Sequence, residues 1–352
     1  MKVDNTEQPR LSICIATRNR ADFISETLDS IVGQIETGVE IVIVDGASSD
    51  ETPKVLGRYA AEYPQIVYRR EPTNSGVDRD YDKAVSYATG RMCWLMTDDD
   101  LLRPGAIRKV LDCAERDVDL VVANAEVRTA DFARSLGVRL PDLKEDRDYL
   151  PGQGGSLFRD VANHLSFIGC VIVSRTVWLQ RDRARYFGSL FVHVGVIFQH
   201  PAIERARVIA EPLVTIRYGN AMWLPRWFEI WSFKWPDLIW SFGDFSDATK
   251  ADVVAREPWR RLKTLLLGRA MGNYSINEFH RFLAPKMSGL ASLAAAAVAL
   301  IPGPVANLAA SVYLGVWRRN SRVELYDLAL SPNATFASRW VMKLLRVDFS
   351  AR

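Results

Sequence analysis

Several signatures of common protein classes are missing from this chain of 352 residues. Its four cysteines are scattered and form no CxxC pair, so we expect buried, reduced thiols rather than disulfides or a zinc site. The formal net charge is only +3, which is too small to indicate a nucleic-acid partner. The first ten residues are polar, so no secretory signal peptide is predicted. These absences favour an ordinary globular protein of the cytosol.

The glycine patterns that bind dinucleotides and nucleoside triphosphates are also absent. No GxGxxG motif follows the first predicted strand, and no GxxxxGK[ST] motif occurs in the chain. In those motifs the glycines let the backbone approach the phosphates closely. The sequence therefore argues against a dinucleotide oxidoreductase and against a P-loop NTPase.

Apolar runs alternate with helical patterns over the first hundred residues. This pattern predicts strands at 11–16, 39–44, 66–69 and 91–96, and helices at 21–32, 52–62 and 79–89. Such alternation is typical of a doubly wound, mostly parallel, Rossmann-like sheet. Ligands bind these sheets outside the carboxyl ends of the strands. Polar clusters follow three of the predicted strands, at 17–20, 45–50 and 97–100.

The fourth strand runs directly into three consecutive carboxylates, Asp98, Asp99 and Asp100. Adjacent ionised carboxylates repel one another, so water or a cation must neutralise them. Mg²⁺ is usually bound by one or two carboxylates together with substrate phosphates. The stretch therefore indicates a metal site that holds a diphosphate. A solvated turn that caps the next helix is the structural alternative.

Taken in order, these motifs resemble the nucleotide-sugar-binding half of the family-2 glycosyltransferases of the GT-A fold. The resemblance covers residues 11–112, through the segments at 17–20, 41–50, 74–80 and 97–105. Within that family, residues 76–80 and Trp94 look most like abequosyltransferases and related enzymes of O-antigen assembly. The resemblance implies a GT-A sheet and a nucleoside-diphosphate sugar as donor.

The resemblance also implies roles for the donor-side residues. Asp45 would accept a hydrogen bond from the nucleotide base, while Thr17 and Arg18 would line the base and ribose pocket. Arg79 would approach the nucleotide or its phosphates. The family usually has an aromatic residue where Arg18 stands, so a guanidinium would stack there instead.

The acidic cluster matches the family's metal-binding motif with one departure. Thr97 replaces the first aspartate of the family's DxDD pattern, although Asp98 to Asp100 still fit a bare DxD. The resemblance assigns Asp99 and Asp100 to a Mg²⁺ or Mn²⁺ ion and Asp98 to the nucleotide sugar. The ribose contact expected of the missing aspartate is therefore left without a residue.

The acceptor side departs further from the family. Family members commonly place a Glu-Asp pair, the source of the catalytic base, where this chain has residues 188–195 and no carboxylate. His193 is the nearest substitute, because an imidazole can act as a general base at neutral pH. A buried histidine hydrogen-bonded to the backbone explains the same residue, and both interpretations stay open.

Tryptophans recur every fourth residue in the C-terminal part of the chain. The repeat consists of Trp223, Trp227, Trp231 and Trp235, with Trp240 beyond it. On a helix, this spacing places the tryptophan side chains in one stripe that turns slowly around the helix axis. The stripe could pack in the core, stack against an acceptor sugar, or form a belt at a membrane interface.

Residues 288–317 contain no charged side chain. Pro302-Gly303-Pro304 divide them into two apolar segments, each too short to cross a bilayer. We expect a helical hairpin that lies in one leaflet or packs against protein. The flanking cations suited to anionic headgroups are Arg281, Lys286, Arg318, Arg319 and Arg322.

We therefore predict a GT-A catalytic domain at 1–215 and a helical, partly amphipathic region at 216–352. The catalytic domain would divide into a nucleotide-sugar-binding half at 11–112 and an acceptor-side half at 113–215. The predicted reaction is metal-dependent transfer of a sugar, with inversion, to a hydroxyl of a lipid-linked surface polysaccharide or O-antigen intermediate. We expect a cytoplasmic enzyme, peripheral on the inner face of the cell membrane. The alternatives are a non-catalytic glycan- or membrane-binding relative and a sugar-nucleotide nucleotidyltransferase.

Overall fold

The computed structural model describes residues 8–203, 205–220, 222, 224–317 and 321–344. The chain divides into two compact units, each taken as far as it is described. The first consists of Met1–Val127, Val138–Arg217 and Phe242–Thr249, and the second of Arg128–Gly137, Tyr218–Ser241 and Lys250–Arg352. The chain passes from the first unit to the second between Arg217 and Tyr218, close to the domain boundary predicted at 215.

Within the described residues, ten strands form one sheet. The strands are β1 (Leu11–Thr17), β2 (Val39–Asp45), β3 (Ile66–Arg70), β4 (Met92–Met96), β5 (Leu101–Leu102), β6 (Leu120–Thr129), β7 (Ser135–Val138), β8 (Arg147–Tyr149), β9 (Val171–Ser174) and β10 (Ala206–Tyr218). Their order is β3-β2-β1-β4-β9-β6-β10-β5, with β7 beside β6 and β8 beside β10.

The α-helices lie between and after these strands. They are α1 (Ile24–Val32), α2 (Thr52–Glu62), α3 (Val77–Tyr87), α4 (Ala106–Ala114), α5 (Gly154–Val161), α6 (Arg175–Gln180), α7 (Val192–Phe198), α8 (Trp227–Glu229), α9 (Trp235–Trp240), α10 (Asp247–Val253), α11 (Leu262–Met271), α12 (Ile276–Glu278), α13 (Gly289–Leu300), α14 (Gly303–Trp317), α15 (Arg322–Leu330) and α16 (Phe336–Leu344). The short 3-10 turns and two π-helical turns, Ile230–Lys234 and Phe279–Leu283, complete the helical structure described.

The first four strands of the chain are parallel. β1 pairs with β2 and β4, and β2 pairs with β3. Every residue of β1 and β4 is buried, as expected for parallel strands that are covered on both faces. The predicted α/β sheet is therefore confirmed. On the other side of β4 the sheet continues with antiparallel pairs, β4 with β9 and β9 with β6.

The four cysteines are all buried in the first unit, and none forms a disulfide. Cys14 lies on β1 and Cys93 lies on β4, where the two strands are neighbours. Burial raises the pKa of the Cys14 thiol, so this sulfur stays protonated. The thiols are therefore buried, as predicted.

The second unit has apolar cores of its own, and the tryptophan stripe contributes to them. Trp235 is buried, and Trp227 packs against the cluster around Phe228 and Tyr274. The helix is interrupted by the π-helical turn Ile230–Lys234, which shifts the side chains away from regular spacing. Core packing is thus the interpretation that the structure supports for these rings, while Trp223 lies outside the described residues.

The apolar segments form the predicted pair of helices, α13 and α14. No helix in the described parts of the chain is by itself long and apolar enough to cross a bilayer; α13 and α14 meet that criterion only together, bent by 96° at their junction. Both pack against α11. Ala295 and Val298 join one core cluster, and Ala306 and Leu314 join another. Of the flanking cations, Arg318 and Arg319 lie outside the described residues.

Asn307 is a buried polar residue in the middle of α14. Its side-chain amide donates to the carbonyl oxygens of Ala270 (3.1 Å) and Leu328 (3.0 Å). We expect Asn307→Leu to destabilise the second unit by about 2 kcal/mol, because two buried carbonyls lose their donor. Urea unfolding measures this loss. Asn277→Leu, at an exposed position, is the matched control. Equal urea midpoints for the two variants would contradict a stabilising role for the buried Asn307 amide.

Candidate active site

The parallel register brings two of the predicted site residues to one edge of the sheet. Thr17 ends β1, Asp45 ends β2, and the two are paired in the strand register. The N–H of Gly46 donates to the carbonyl oxygen of Thr17 at 2.9 Å, which ties the two strand ends together. Because β4 is parallel to β1, its carboxyl end delivers the acidic cluster to this same edge.

Asp45 is fully buried and holds the loop that follows it. One carboxylate oxygen accepts the N–H of Ser48 at 2.8 Å, and the other accepts the hydroxyl of Tyr68 at 3.0 Å. Burial and the Asp45 carboxylate raise the pKa of Tyr68 above its ordinary value, so the phenol remains a donor. A carboxylate has room for further donors, so contact between Asp45 and a nucleotide base stays a prediction.

Gly46 allows a close approach between Asp80 and the loop after β2. A Cβ atom at Gly46 would lie 2.5 Å from Oδ2 of Asp80, so a side chain cannot be added there without displacing the carboxylate. The other oxygen of Asp80 accepts the hydroxyl of Ser75 at 2.7 Å. The Asp-Gly pair at the end of β2 is thus required by packing as well as by the turn.

Arg18 is exposed at this edge of the sheet. The loop that carries it is fixed by Asn19, whose N–H donates to Oγ of Ser48 at 2.9 Å and whose side chain accepts the N–H of Ser49 at 2.8 Å. Asn19 has φ of +55°, a conformation that asparagine tolerates better than most residues. The two loops therefore form one rigid surface, and a ribose or base contact by Arg18 stays a prediction.

Asp98 and Asp99 share a single buried cation, Arg20. Its Nε lies 3.4 Å from Oδ1 of Asp98, and its Nη2 lies 3.2 Å from Oδ2 of Asp99. Burial and the neighbouring Asp99 raise the pKa of Asp98 to about 7, although Arg20 and Thr17 act in the opposite direction. The raised pKa shows that one guanidinium only partly offsets the repulsion between the two carboxylates.

Asp100, predicted together with Asp99 to bind the metal, has both carboxylate oxygens engaged by protein donors; its role at a metal stays a prediction. Its Oδ1 accepts the N–H of Arg217 at 2.7 Å, and its Oδ2 accepts the hydroxyl of Thr97. Burial, together with Asp99, raises the pKa of Asp100 well above its ordinary value. The carboxyl group therefore joins β10 to the acidic loop. Over the described ranges, no three His, Cys, Asp or Glu side chains are arranged to hold a metal.

A divalent cation nevertheless fits the pair formed by Asp98 and Asp99. Carboxylate oxygens are the hard donors that Mg²⁺ and Mn²⁺ prefer, and a site of one or two carboxylates leaves room for substrate phosphates. Burial and the neighbouring Asp99 raise the pKa of Asp98, and a bound cation would lower it by favouring the ionised form. Asp99 is therefore suited to its predicted metal role, and Asp98, predicted to contact the nucleotide sugar, is suited to the metal as well.

Arg217 is a site residue that the sequence patterns did not reveal. Its Nη2 lies 2.6 Å from a carboxylate oxygen of Glu26, and its Nε donates to the carbonyl oxygen of Asp99 at 3.1 Å. Its guanidinium also lies over the ring of Phe23. Arg217 belongs to β10 and lies far from the acidic cluster in sequence, so no local motif marks it. Arg20, in contrast, is part of the recognised 17–20 segment.

Asp78 was also missed, and it fixes the loop at 188–192. Its carboxylate accepts the N–H groups of Gly188 (2.8 Å), Leu190 (2.9 Å) and Val192 (3.1 Å). An acidic residue in the first turn of a helix is ordinarily explained by the helix dipole, so its sequence position carried no signal. Asp78 thereby ties α3 to the segment that begins α7.

Arg79 is exposed and stacks on the ring of Phe187, with its guanidinium carbon 4.5 Å from the ring centre. This contact holds the side chain beside the loop that Asp78 anchors. The stacking leaves the planar guanidinium capable of hydrogen bonds to phosphate oxygens. Its predicted contact with the nucleotide stays a prediction.

His193, the predicted catalytic base, is buried, and its role as a base stays a prediction. Its Nε2 lies 2.7 Å from the carbonyl oxygen of Leu165. Burial lowers the pKa of His193 to about 4, so the ring is neutral at pH 7 and Nε2 carries the proton that this contact requires. A buried histidine hydrogen-bonded to the backbone was the structural alternative, and it is the arrangement found.

The burial of His193 predicts a specific dependence of stability on pH. Because the folded-state pKa is about 4 and the unfolded value is about 6.5, the unfolded chain binds the proton first as the pH falls. In the parent chain, the free energy of unfolding should fall by about 3 kcal/mol as the pH drops from 6.5 to 4. We expect His193→Gln to remove this fall. Urea unfolding across this range measures it. His280→Gln, at an exposed position, should leave the pH dependence of the parent chain unchanged.

The fold is that of the glycosyltransferases of the GT-A type. Residues 12–177 match the family model described as Glycosyl transferase family 2. The predicted resemblance to family-2 glycosyltransferases and the predicted enzyme class are confirmed over this domain. The alternatives of a nucleotidyltransferase and of a non-catalytic relative gain no support from the match.

Three similar proteins illustrate this assignment. Abequosyltransferase RfbV of Salmonella typhimurium is 28% identical over 225 residues, which cover 60% of this chain and 67% of the relative. The crystal structure of S. aureus TarS 1-349 with UDP has a TM-score of 0.54 at 16% identity and covers 96% of this chain and 91% of that one. Mannosyltransferase PcManGT from Pyrobaculum calidifontis, with GDP-Man and Mn²⁺, has a TM-score of 0.51 at 18% identity, with coverage of 92% and 85%. At such identities the two structures show the fold alone.

Proposed function

We propose that this chain transfers a sugar from a nucleoside-diphosphate donor to a hydroxyl of a lipid-linked surface polysaccharide or O-antigen intermediate. The observation that carries this proposal is the pair Asp98 and Asp99, held at the carboxyl edge of the sheet against Arg20. The similarity to an abequosyltransferase supports a surface glycan as the product. The reaction class is displacement at the anomeric carbon, with inversion as the expected stereochemistry.

On the donor side, we propose that Asp98 and Asp99 hold the nucleotide sugar through Mg²⁺ or Mn²⁺. When bound, the cation supplies charge neutralisation for the departing diphosphate. Arg20 is close enough to assist in neutralising this charge, because it already contacts both carboxylates. Thr17, Arg18 and Asp45 would contact the base and ribose, and Arg79 the phosphates. The UDP bound by TarS and the GDP-Man and Mn²⁺ bound by PcManGT support donors of this kind.

The acceptor hydroxyl must lose a proton, and we do not assign that step to His193. Its ring is buried, and its Nε2 is held by a backbone carbonyl. What this chain supplies on the acceptor side is the loop at 188–192, fixed in place by Asp78. We propose that this loop orients the acceptor against the donor, since orientation alone accounts for a large part of such rate accelerations.

We also propose that the enzyme works at the inner face of the cell membrane, as a peripheral protein. The apolar helices α13 and α14 support this location, because they expose leucine, valine and aromatic side chains. A lipid-linked acceptor would be presented at such a surface.

A transfer assay with defined donors tests the reaction. The full chain is incubated with a panel of nucleoside-diphosphate sugars, a lipid extract and Mn²⁺ or Mg²⁺. We expect one donor to be consumed, and the sugar to appear in the lipid fraction with the opposite anomeric configuration, which proton NMR determines. Retention of configuration would contradict the mechanism, and absence of transfer from every donor would contradict the proposed reaction.

A further inference from the structure

Helix α16 turns an apolar row outward. Phe336, Trp340 and Leu344 are 86%, 54% and 60% exposed, and their i, i+4 spacing places them on one face of the helix. Ser338 and Met342, on the opposite side, are buried. A helix on the surface of a globular protein ordinarily faces its apolar stripe inward, so this row requires another explanation.

Helices α13 and α14 also have apolar outer faces. Leu290 on α13 is 85% exposed and Trp317 on α14 is 70% exposed, with Leu293 and Val305 exposed as well. The inner faces of both helices are occupied mainly by small residues, such as Ala295 and Ala306. A helix that is apolar all round belongs in a protein core or against lipid. These outer faces therefore belong to the same kind of environment as the row on α16.

The charges around these helices indicate what covers them. Helices α13, α14 and α16 contain no aspartate or glutamate. Arg339 and Lys343 are exposed on α16 beside its apolar row. Lys263, on α11, lies 6.0 Å from the ring centre of Tyr313, which in turn stacks on Trp317. Apolar side chains, interfacial aromatics and a cationic border are the chemistry of a helix lying in an anionic lipid surface.

We propose that the exposed apolar faces of α13, α14 and α16 dock on the headgroup region of an anionic bilayer, with the row Phe336, Trp340 and Leu344 inserted. Arg339 and Lys343 would meet lipid phosphates while their stems stay against the apolar layer. A second copy of the chain is disfavoured as the occupant, because it would bring like charges together. The inference names the protein surface that would contact the membrane. It rests on the proposed membrane location and does not depend on the donor chemistry.

Sedimentation of the full chain with vesicles tests this surface. We expect the chain to bind vesicles that contain phosphatidylglycerol and to bind pure phosphatidylcholine vesicles more weakly. Phe336→Glu/Trp340→Glu should abolish binding to both. Arg339→Gln/Lys343→Gln should weaken binding to the anionic vesicles by roughly 25-fold, which corresponds to two screened cation–headgroup contacts. The matched control is Tyr87→Glu/Leu150→Glu, which changes two exposed apolar residues of the first unit and should leave binding unchanged.

Three results would overturn the proposal. One is failure of the parent chain to bind anionic vesicles. Another is binding by Phe336→Glu/Trp340→Glu that equals that of the parent chain. The third is a dimer in solution that the same double change converts to a monomer, because a second copy would then cover the face. Nucleotide binding is measured on each preparation. A variant that loses vesicle binding but still binds nucleotide has lost the lipid surface, whereas loss of both indicates failure of the donor site or of folding.

Discussion

Asp99→Asn is expected to lower sugar transfer by at least about a thousandfold, the scale of a lost metal contact to the leaving diphosphate. The change is nearly isosteric but removes the negative charge that faces Arg20 at 3.2 Å. Nucleoside-diphosphate binding should lose its dependence on Mn²⁺ or Mg²⁺, which calorimetry with and without the metal measures. The pKa of Asp98 should also fall, because Asp99 contributes to raising it.

Asp142→Asn is the matched control for this change, since Asp142 is an exposed carboxylate and the alteration in net charge is the same. It should bind and transfer like the parent chain. Metal-dependent binding that survives in Asp99→Asn would reject the metal assignment. Failure of the parent chain to bind any nucleoside diphosphate would reject the donor site as a whole, and the acidic cluster would then be a solvated turn.

Asp78→Ala should release the loop that starts α7. Three N–H groups, those of Gly188, Leu190 and Val192, lose a charged acceptor. We expect a local loss of about 3 kcal/mol, since hydrogen bonds to charged groups are the stronger ones. Exchange of these three amide hydrogens should accelerate about a hundredfold. Sugar transfer should fall while nucleotide binding in solution is retained, because the three hydrogen bonds that are lost belong to the loop.

Asp112→Ala provides the comparison for Asp78→Ala, because Asp112 is an exposed helical carboxylate paired only with a surface arginine in its own helix. Amide exchange at the loop should match that of the parent chain. Asp78→Asn should give an intermediate acceleration, since one amide oxygen can still accept. Unchanged exchange in Asp78→Ala would show that the loop is held by other contacts, and a parallel loss of nucleotide binding would show a wider disturbance.

The local features of the first unit were predictable from the sequence. Strands predicted at 11–16 and 91–96 occur as Leu11–Thr17 and Met92–Met96, and the helix predicted at 79–89 occurs as Val77–Tyr87. Apolar runs of this length bounded by turn residues depend on neighbouring residues alone. The antiparallel strands beyond β4 were not predicted in their order, because strand pairing at long range leaves no local pattern.

The sequence by itself determined the family resemblance, the strands and helices of the parallel half of the sheet, and the placement of Thr17, Asp45 and Asp98 at one edge. Strand positions follow from local periodicity, and the carboxyl ends of parallel strands meet at one edge. Only the tertiary structure decided how the remaining groups are used. Asp100 meets the backbone of Arg217 across 117 positions, and Asp78 meets that of Val192 across 114. The sequence left a buried His193 as one of two interpretations, and packing placed its ring against the carbonyl oxygen of Leu165. In each case the partner is fixed by packing of distant segments, and that packing sets the hydrogen bonds that each group makes.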